Sequence, residues 1–130
     1  MYDANEVVEN LWIGSVPETS SDVKPFDVIV NLFGRTFFPE KVNLVWIFED
    51  KPELPDLNTL MAVAKSIYTF RSEGKKVLVH CQAGLNRSGL VVGAALAYDG
   101  WPGVQAVKRI QTARKDALHN EKFRAYVEGL

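Results

Sequence analysis

Apolar positions along the chain fall into two kinds of pattern. Phe26-Asp27-Val28-Ile29-Val30-Asn31-Leu32 and Val77-Leu78-Val79-His80 are short runs dominated by large apolar residues. Such runs predict strands that are buried on both faces. Leu11-Trp12-Ile13-Gly14-Ser15 and Val42 to Phe48 read as two further strands. Leu57, Leu60, Met61, Ala64, Ile67 and Tyr68 instead recur at helical spacing, which predicts an amphipathic helix over 57–72 that stops near Gly74. From Ser88 to Tyr98 nearly every residue is small or apolar, and a helix apolar on all sides is a buried one. Pro102 opens a helix to about Ala113, with Val104, Val107 and Ile110 expected inward, and 121–128 reads as a last short helix.

Strands interleaved with helices predict an α/β fold, a single domain with a small, mostly parallel central sheet flanked by helices. Residues 17–25 and 34–39 read as loops, and Phe37 and Phe38 of the second are expected to tuck into the core. Glu49 to Asp56 holds two prolines and four carboxylates in eight residues, which marks a surface loop. Asp56, at its end, is placed to cap the helix that follows.

Composition narrows the picture. At 130 residues and 47% hydrophobic the chain suits one core. No apolar run approaches the roughly 20 residues needed to span a bilayer, and Met1 to Glu6 lacks the basic-then-apolar pattern of a secretory signal. A net charge of −1 gives no global attraction to nucleic acid or an acidic membrane. The one basic grouping, Lys108, Arg109, Arg114 and Lys115, reads as a solvated helix face, although Arg114 could also support a site from behind. Two histidines and one cysteine offer no metal-ligand cluster. The lone cysteine can form no internal disulfide, and a thiol kept reduced fits a cytoplasmic setting.

That cysteine is where the chemistry gathers. Cys81 ends the valine-rich run, Arg87 follows after five residues, and Ser88 begins the buried helix. A strand, a tight loop and a helix N-terminus in that order form an anion cradle, because successive backbone N–H groups converge. Such a cradle would favour Cys81 as the thiolate, the nucleophilic form. Arg87 carries a planar fork able to grip two phosphate oxygens. Gly84 admits a backbone geometry and a close approach that a side chain would obstruct.

His80-Cys81-Gln82-Ala83-Gly84-Leu85-Asn86-Arg87-Ser88 closely resembles the Cys-x5-Arg-Ser signature of the cysteine-based protein tyrosine phosphatase superfamily. The chain's length and order of parts resemble a minimal dual-specificity phosphatase, and Leu11 to Ser15 resembles the segment that opens such domains. The resemblance implies one catalytic domain over 1–130 and metal-independent, cofactor-free hydrolysis of phosphate monoesters through a cysteinyl-phosphate. Its substrates would be phosphotyrosine, with phosphoserine or phosphothreonine, in proteins or peptides. It implies Cys81 as nucleophile, Arg87 as oxygen clamp and Ser88 as hydrogen-bond donor to the sulfur. Gln82, Ala83, Gly84, Leu85 and Asn86 would line the phosphate site, and His80 would order the loop. The family's general acid is an aspartate on the loop after the preceding strand. Asp50, 31 positions before Cys81 and just past Phe48, fits best, with Glu49 and Asp56 as rivals.

Residues 82, 83, 85 and 86 include no cation, which argues against a polyphosphorylated lipid. Gly84-Leu85-Asn86-Arg87-Ser88 also resembles the loop of metal-independent RNA 5′-triphosphatases, an alternative that would want a basic path for RNA. The alternative outside enzymology is a module that binds phosphorylated partners without turnover.

Overall fold

Val77–His80 (β5) is wholly buried, and the fold is laid out around it. The computed structural model describes residues 1–130. Four other strands join β5: β1 (Ala4–Val8), β2 (Leu11–Gly14), β3 (Val28–Asn31) and β4 (Val42–Val45). Their order in the sheet is β1-β2-β5-β3-β4. All neighbours pair in parallel except β1 and β2, which are antiparallel. The five helices are α1 (Ser20–Val23), α2 (Leu57–Ser72), α3 (Arg87–Tyr98), α4 (Gly103–Ala113) and α5 (Glu121–Glu128).

Alternation along the strands sorts the core. Val77 and Val79 of β5, with Val28 and Val30 of β3, join the main cluster with α2, α3, α4 and α5. Leu78 and Ile29 point the other way and pack with Val23, Phe26 and Phe38. Helix α3 is buried from Ser88 to Leu96, as its composition predicts. Asp56 does cap α2, accepting from the N–H groups of Asn58 at 2.9 Å and Thr59 at 3.2 Å. No helix is long and apolar enough to cross a membrane.

Several expectations need correcting. β1 and α1 lie in segments that carried no clear periodic signal. The run from Val42 to Phe48 is a strand only to Val45, after which Trp46 N–H adds one more bond, to the carbonyl of Asn31. Phe38 is buried, but Phe37 is 55% exposed. Leu57, Tyr68 and Val104 keep helical spacing yet face solvent. In α4 the inward positions are Gly103, Ala106, Val107 and Ile110.

Register places the site. Gly14, His80, Asn31 and Val45 lie in one row across β2, β5, β3 and β4. The carboxyl ends of all four parallel strands therefore meet along one sheet edge, the usual ligand side of an open α/β sheet. The segments 15–17, 81–86, 32–38 and 46–56 all leave from that edge.

Candidate active site

The loop from Cys81 to Arg87 is shaped by what holds its carbonyls. The carbonyl of Cys81 contacts His80 Nδ1 at 3.2 Å. The carbonyl of Gln82 accepts from Val16 N–H at 3.0 Å, and that of Leu85 from Leu118 N–H at 3.1 Å. The carbonyl of Ala83 accepts from Arg114 Nη2 at 2.9 Å. Four carbonyls are thus drawn outward by four different parts of the fold. In a planar trans peptide the next residue's N–H points the opposite way. The N–H groups of Gln82, Ala83, Gly84 and Asn86 therefore turn toward the concave side. Gly84 N–H shows the direction, donating to Cys81 Sγ at 3.3 Å.

His80 is fully buried, and burial lowers its pKa from 6.5 to about 4, so the ring is neutral. A carbonyl oxygen can only accept, so the ring proton sits on Nδ1. The ring thus contacts the backbone of the loop's first residue. Gly84 has φ +74°, and a side chain there would run into the backbone of Gly14 and come within 2.7 Å of Ser15 N. The constraint is wider than approach to a phosphate, because the loop is seated directly on the end of β2.

Arg87 begins α3. Its Nη1 donates to the carbonyl of Phe48 at 3.4 Å, and its guanidinium lies 5.7 Å from the ring centre of Phe33. The 32–38 loop that presents Phe33 is built on Asn31. Asn31 Oδ1 accepts from the N–H groups of Phe33 and Gly34, and Nδ2 donates to the carbonyl of Thr36 at 2.9 Å.

Comparison with known proteins decides what this loop belongs to. The family model "Dual specificity phosphatase, catalytic domain" matches residues 11–128. The chain belongs to that family. Tyrosine phosphatase 123R of Invertebrate iridescent virus 6 is 38% identical over 94 residues, covering 69% of this chain and 64% of the viral protein. Human dual specificity protein phosphatase 12 is 39% identical over 75 residues, covering 57% of this chain and 22% of the human one. The chain therefore spans less than two thirds of either relative. The crystal structure of DUSP15 superimposes with a TM-score of 0.87 at 21% identity, covering 99% of this chain and 87% of that one.

In this dual specificity phosphatase domain the three acidic candidates are sorted by their partners. Asp56 is occupied as the α2 cap. Glu49 is exposed and pairs with Lys51 at 2.6 Å, a contact that holds its carboxyl below the usual range. Asp50 is the one joined to the 81–87 loop: Oδ2 accepts from Asn86 Nδ2 at 2.9 Å, and Oδ1 from Asn120 Nδ2 at 2.8 Å.

Two side chains depart from expectation in their contacts. Ser88 Oγ is buried but makes no hydrogen bond, so the donor to Cys81 Sγ is the Gly84 N–H. The Asn86 side chain is engaged within the fold. It is 3% exposed and is committed to Asp50, His119 and the N–H of Asn120. Its commitment leaves α3 without a side-chain cap, so the first N–H groups of that helix stay directed at the cradle.

Sequence reasoning missed two residues and half-read a third. Asn120 and His119 sit in a turn with no catalytic spacing of their own. Arg114 is 8% exposed, not a solvated helix face. Its fork grips both carboxylate oxygens of Asp3, at 2.9 and 2.8 Å, and also reaches Asn5 Oδ1 at 2.8 Å. The pairing holds the Asp3 carboxyl below its usual range. No pattern linked Asp3 to Arg114, because the contact spans 111 positions.

Proposed function

We propose that this domain hydrolyses phosphate monoesters on tyrosine, and on serine or threonine, in proteins, through a cysteinyl-phosphate. The reading rests on family membership together with one geometric observation. The outward capture of four loop carbonyls turns the intervening N–H groups inward, and that of Gly84 reaches Cys81 Sγ.

The Cys81 thiolate attacks phosphorus and the ester P–O bond breaks. N–H groups of residues 82–87 and the Arg87 fork carry the charge that grows on the phosphoryl oxygens. Asp50 gives its proton to the leaving oxygen. As a carboxylate it then takes a proton from the attacking water. The P–S bond breaks, returning the thiolate and releasing inorganic phosphate. Ser88 Oγ, buried at the helix start, is the free hydroxyl available to support the departing sulfur. His80 holds the loop in shape. Residues 1–130 act as one catalytic domain.

The test is turnover of a small aryl phosphate in excess EDTA. Cys81→Ser abolishes it, and Asp50→Asn lowers it on the order of 100-fold, within the usual worth of a general acid. Phosphotyrosine and phosphoserine peptides then measure specificity. A parent protein that binds phosphopeptide but turns nothing over would replace this reading with that of a binding module.

A further inference from the structure

Asn86 carries more than its place in the loop requires. Its Oδ1 accepts from Asn120 N–H at 2.8 Å. Its Nδ2 lies 2.9 Å from Asp50 Oδ2 and 3.0 Å from His119 Nε2. A flipped amide would set oxygen against the Asp50 carboxylate and N–H against the N–H of Asn120, so only one orientation satisfies all three contacts. One Nδ2 hydrogen goes to Asp50. The other goes to His119, whose Nε2 must therefore be bare, with the ring proton on Nδ1.

The turn that presents His119 is itself tied to the loop. Leu118 adopts φ +59°, unusual for a branched side chain, and its N–H holds the carbonyl of Leu85 at 3.1 Å. Asp50, Asn86, His119 and Asn120 share one surface cleft. The other charged groups lining it are Lys51 from the 49–56 loop and Glu121 and Lys122 from α5.

We infer that Asn86 and His119 are positioning residues for Asp50, with a neutral His119 orienting the amide that holds the Asp50 carboxyl at the phosphate loop. The inference rests on the reading of Asp50 as the proton donor. A proton on His119 Nε2 would set donor against donor across 3.0 Å and loosen that hold.

Two substrates separate this role from a general loss of structure. One is an aryl phosphate with a strongly acidic phenol, which leaves with little need of a proton. The other is a phosphotyrosine peptide, which needs one. The readout is the ratio of kcat/KM for the first to the second. In His119→Ala the ratio rises about tenfold, a fraction of what a general acid supplies. His119→Gln, whose amide oxygen can accept from Asn86 but gains no proton, restores the ratio in part. Asp50→Asn raises the ratio more than His119→Ala does, and the double variant matches Asp50→Asn.

If His119→Ala slows both substrates equally while Asp50→Asn still raises the ratio, the positioning role is overturned and the role of Asp50 stands. If Asp50→Asn leaves the ratio at the parent value, both fall.

Discussion

Protonation of His80 should set the acid limit of this domain's stability. The ring is fully buried and its pKa is lowered from 6.5 to about 4 by loss of solvation, which outweighs the contact with the Cys81 carbonyl. The unfolded chain exposes the ring and lets it titrate normally. Between those two values the unfolded state binds a proton that the folded state refuses. The stabilisation is therefore complete above pH 6.5 and is lost as pH falls through the window toward 4. At 1.36 kcal/mol per pKa unit the whole effect is about 3 kcal/mol. About 2 kcal/mol of it is lost between roughly pH 7 and pH 5. Against a typical domain stability of roughly 5–15 kcal/mol this is a large share. Urea unfolding followed by tryptophan fluorescence at both pH values measures it. His80→Asn keeps a donor near the Cys81 carbonyl but cannot titrate. The variant is less stable throughout, because it leaves a cavity, yet it loses about 2 kcal/mol less than the parent on acidification. Every other titrating group is common to both proteins and cancels. Equal losses in the two would refute the claim that His80 is held neutral by burial.

Other consequences follow from the loop's seating. Gly84→Ala meets both a positive φ and the backbone of Gly14, so it should cost about 2–4 kcal/mol in urea unfolding and remove turnover of an aryl phosphate. Arg114→Lys keeps the charge but loses the fork that joins Asp3, Asn5 and the carbonyl of Ala83. It should destabilise by roughly 1–3 kcal/mol and lower kcat, and a variant with parent kcat would show that the Ala83 contact is dispensable. The Asp3 carboxyl is held below its usual range, so its contribution is present above the unfolded pKa and disappears as pH falls through the folded one. Because that side chain is 66% exposed, Asp3→Asn should change stability by less than about 1 kcal/mol at neutral pH.

What could be read from the sequence followed a physical line. Valine-rich runs and an all-apolar helix announce themselves because burial on every side leaves no room for polar residues. Val77–His80 and the helix from Arg87 to Tyr98 were legible for that reason. Cys81, Arg87 and Gly84 were legible because one short loop must hold them at fixed spacing. Asp50 was singled out by its place after a strand, and its contact with Asn86 bridges 36 positions. Leu57 and Val104 show the limit of periodicity, since helical spacing says which residues share a face but not how far the neighbouring layer reaches. β1 went unread because Asn5 and Glu6 interrupt its apolar positions and a register shift falls between Glu6 and Val8. Edge strands tolerate such interruptions, since only one side is paired.

The site itself is a tertiary product, and this explains which of its residues stayed hidden. A seven-residue loop cannot turn its N–H groups inward unaided. Each inward N–H requires an outward carbonyl, and each outward carbonyl requires a donor. Those donors are the ring of His80 on β5, Val16 beyond β2, Arg114 after α4 and Leu118 before α5. Two of them are backbone N–H groups that any residue but proline could supply, so no side-chain identity marks them. Arg114 is marked only by its charge, which resembles any surface arginine until its partners at Asp3 and Asn5 are in place. Asn86 looks like one more loop residue until its amide is seen to join the acid-bearing loop to the turn before α5. Cys81 and Arg87 lie in a local motif, while the groups that shape their loop come from β5, from just beyond β2 and from the segment between α4 and α5.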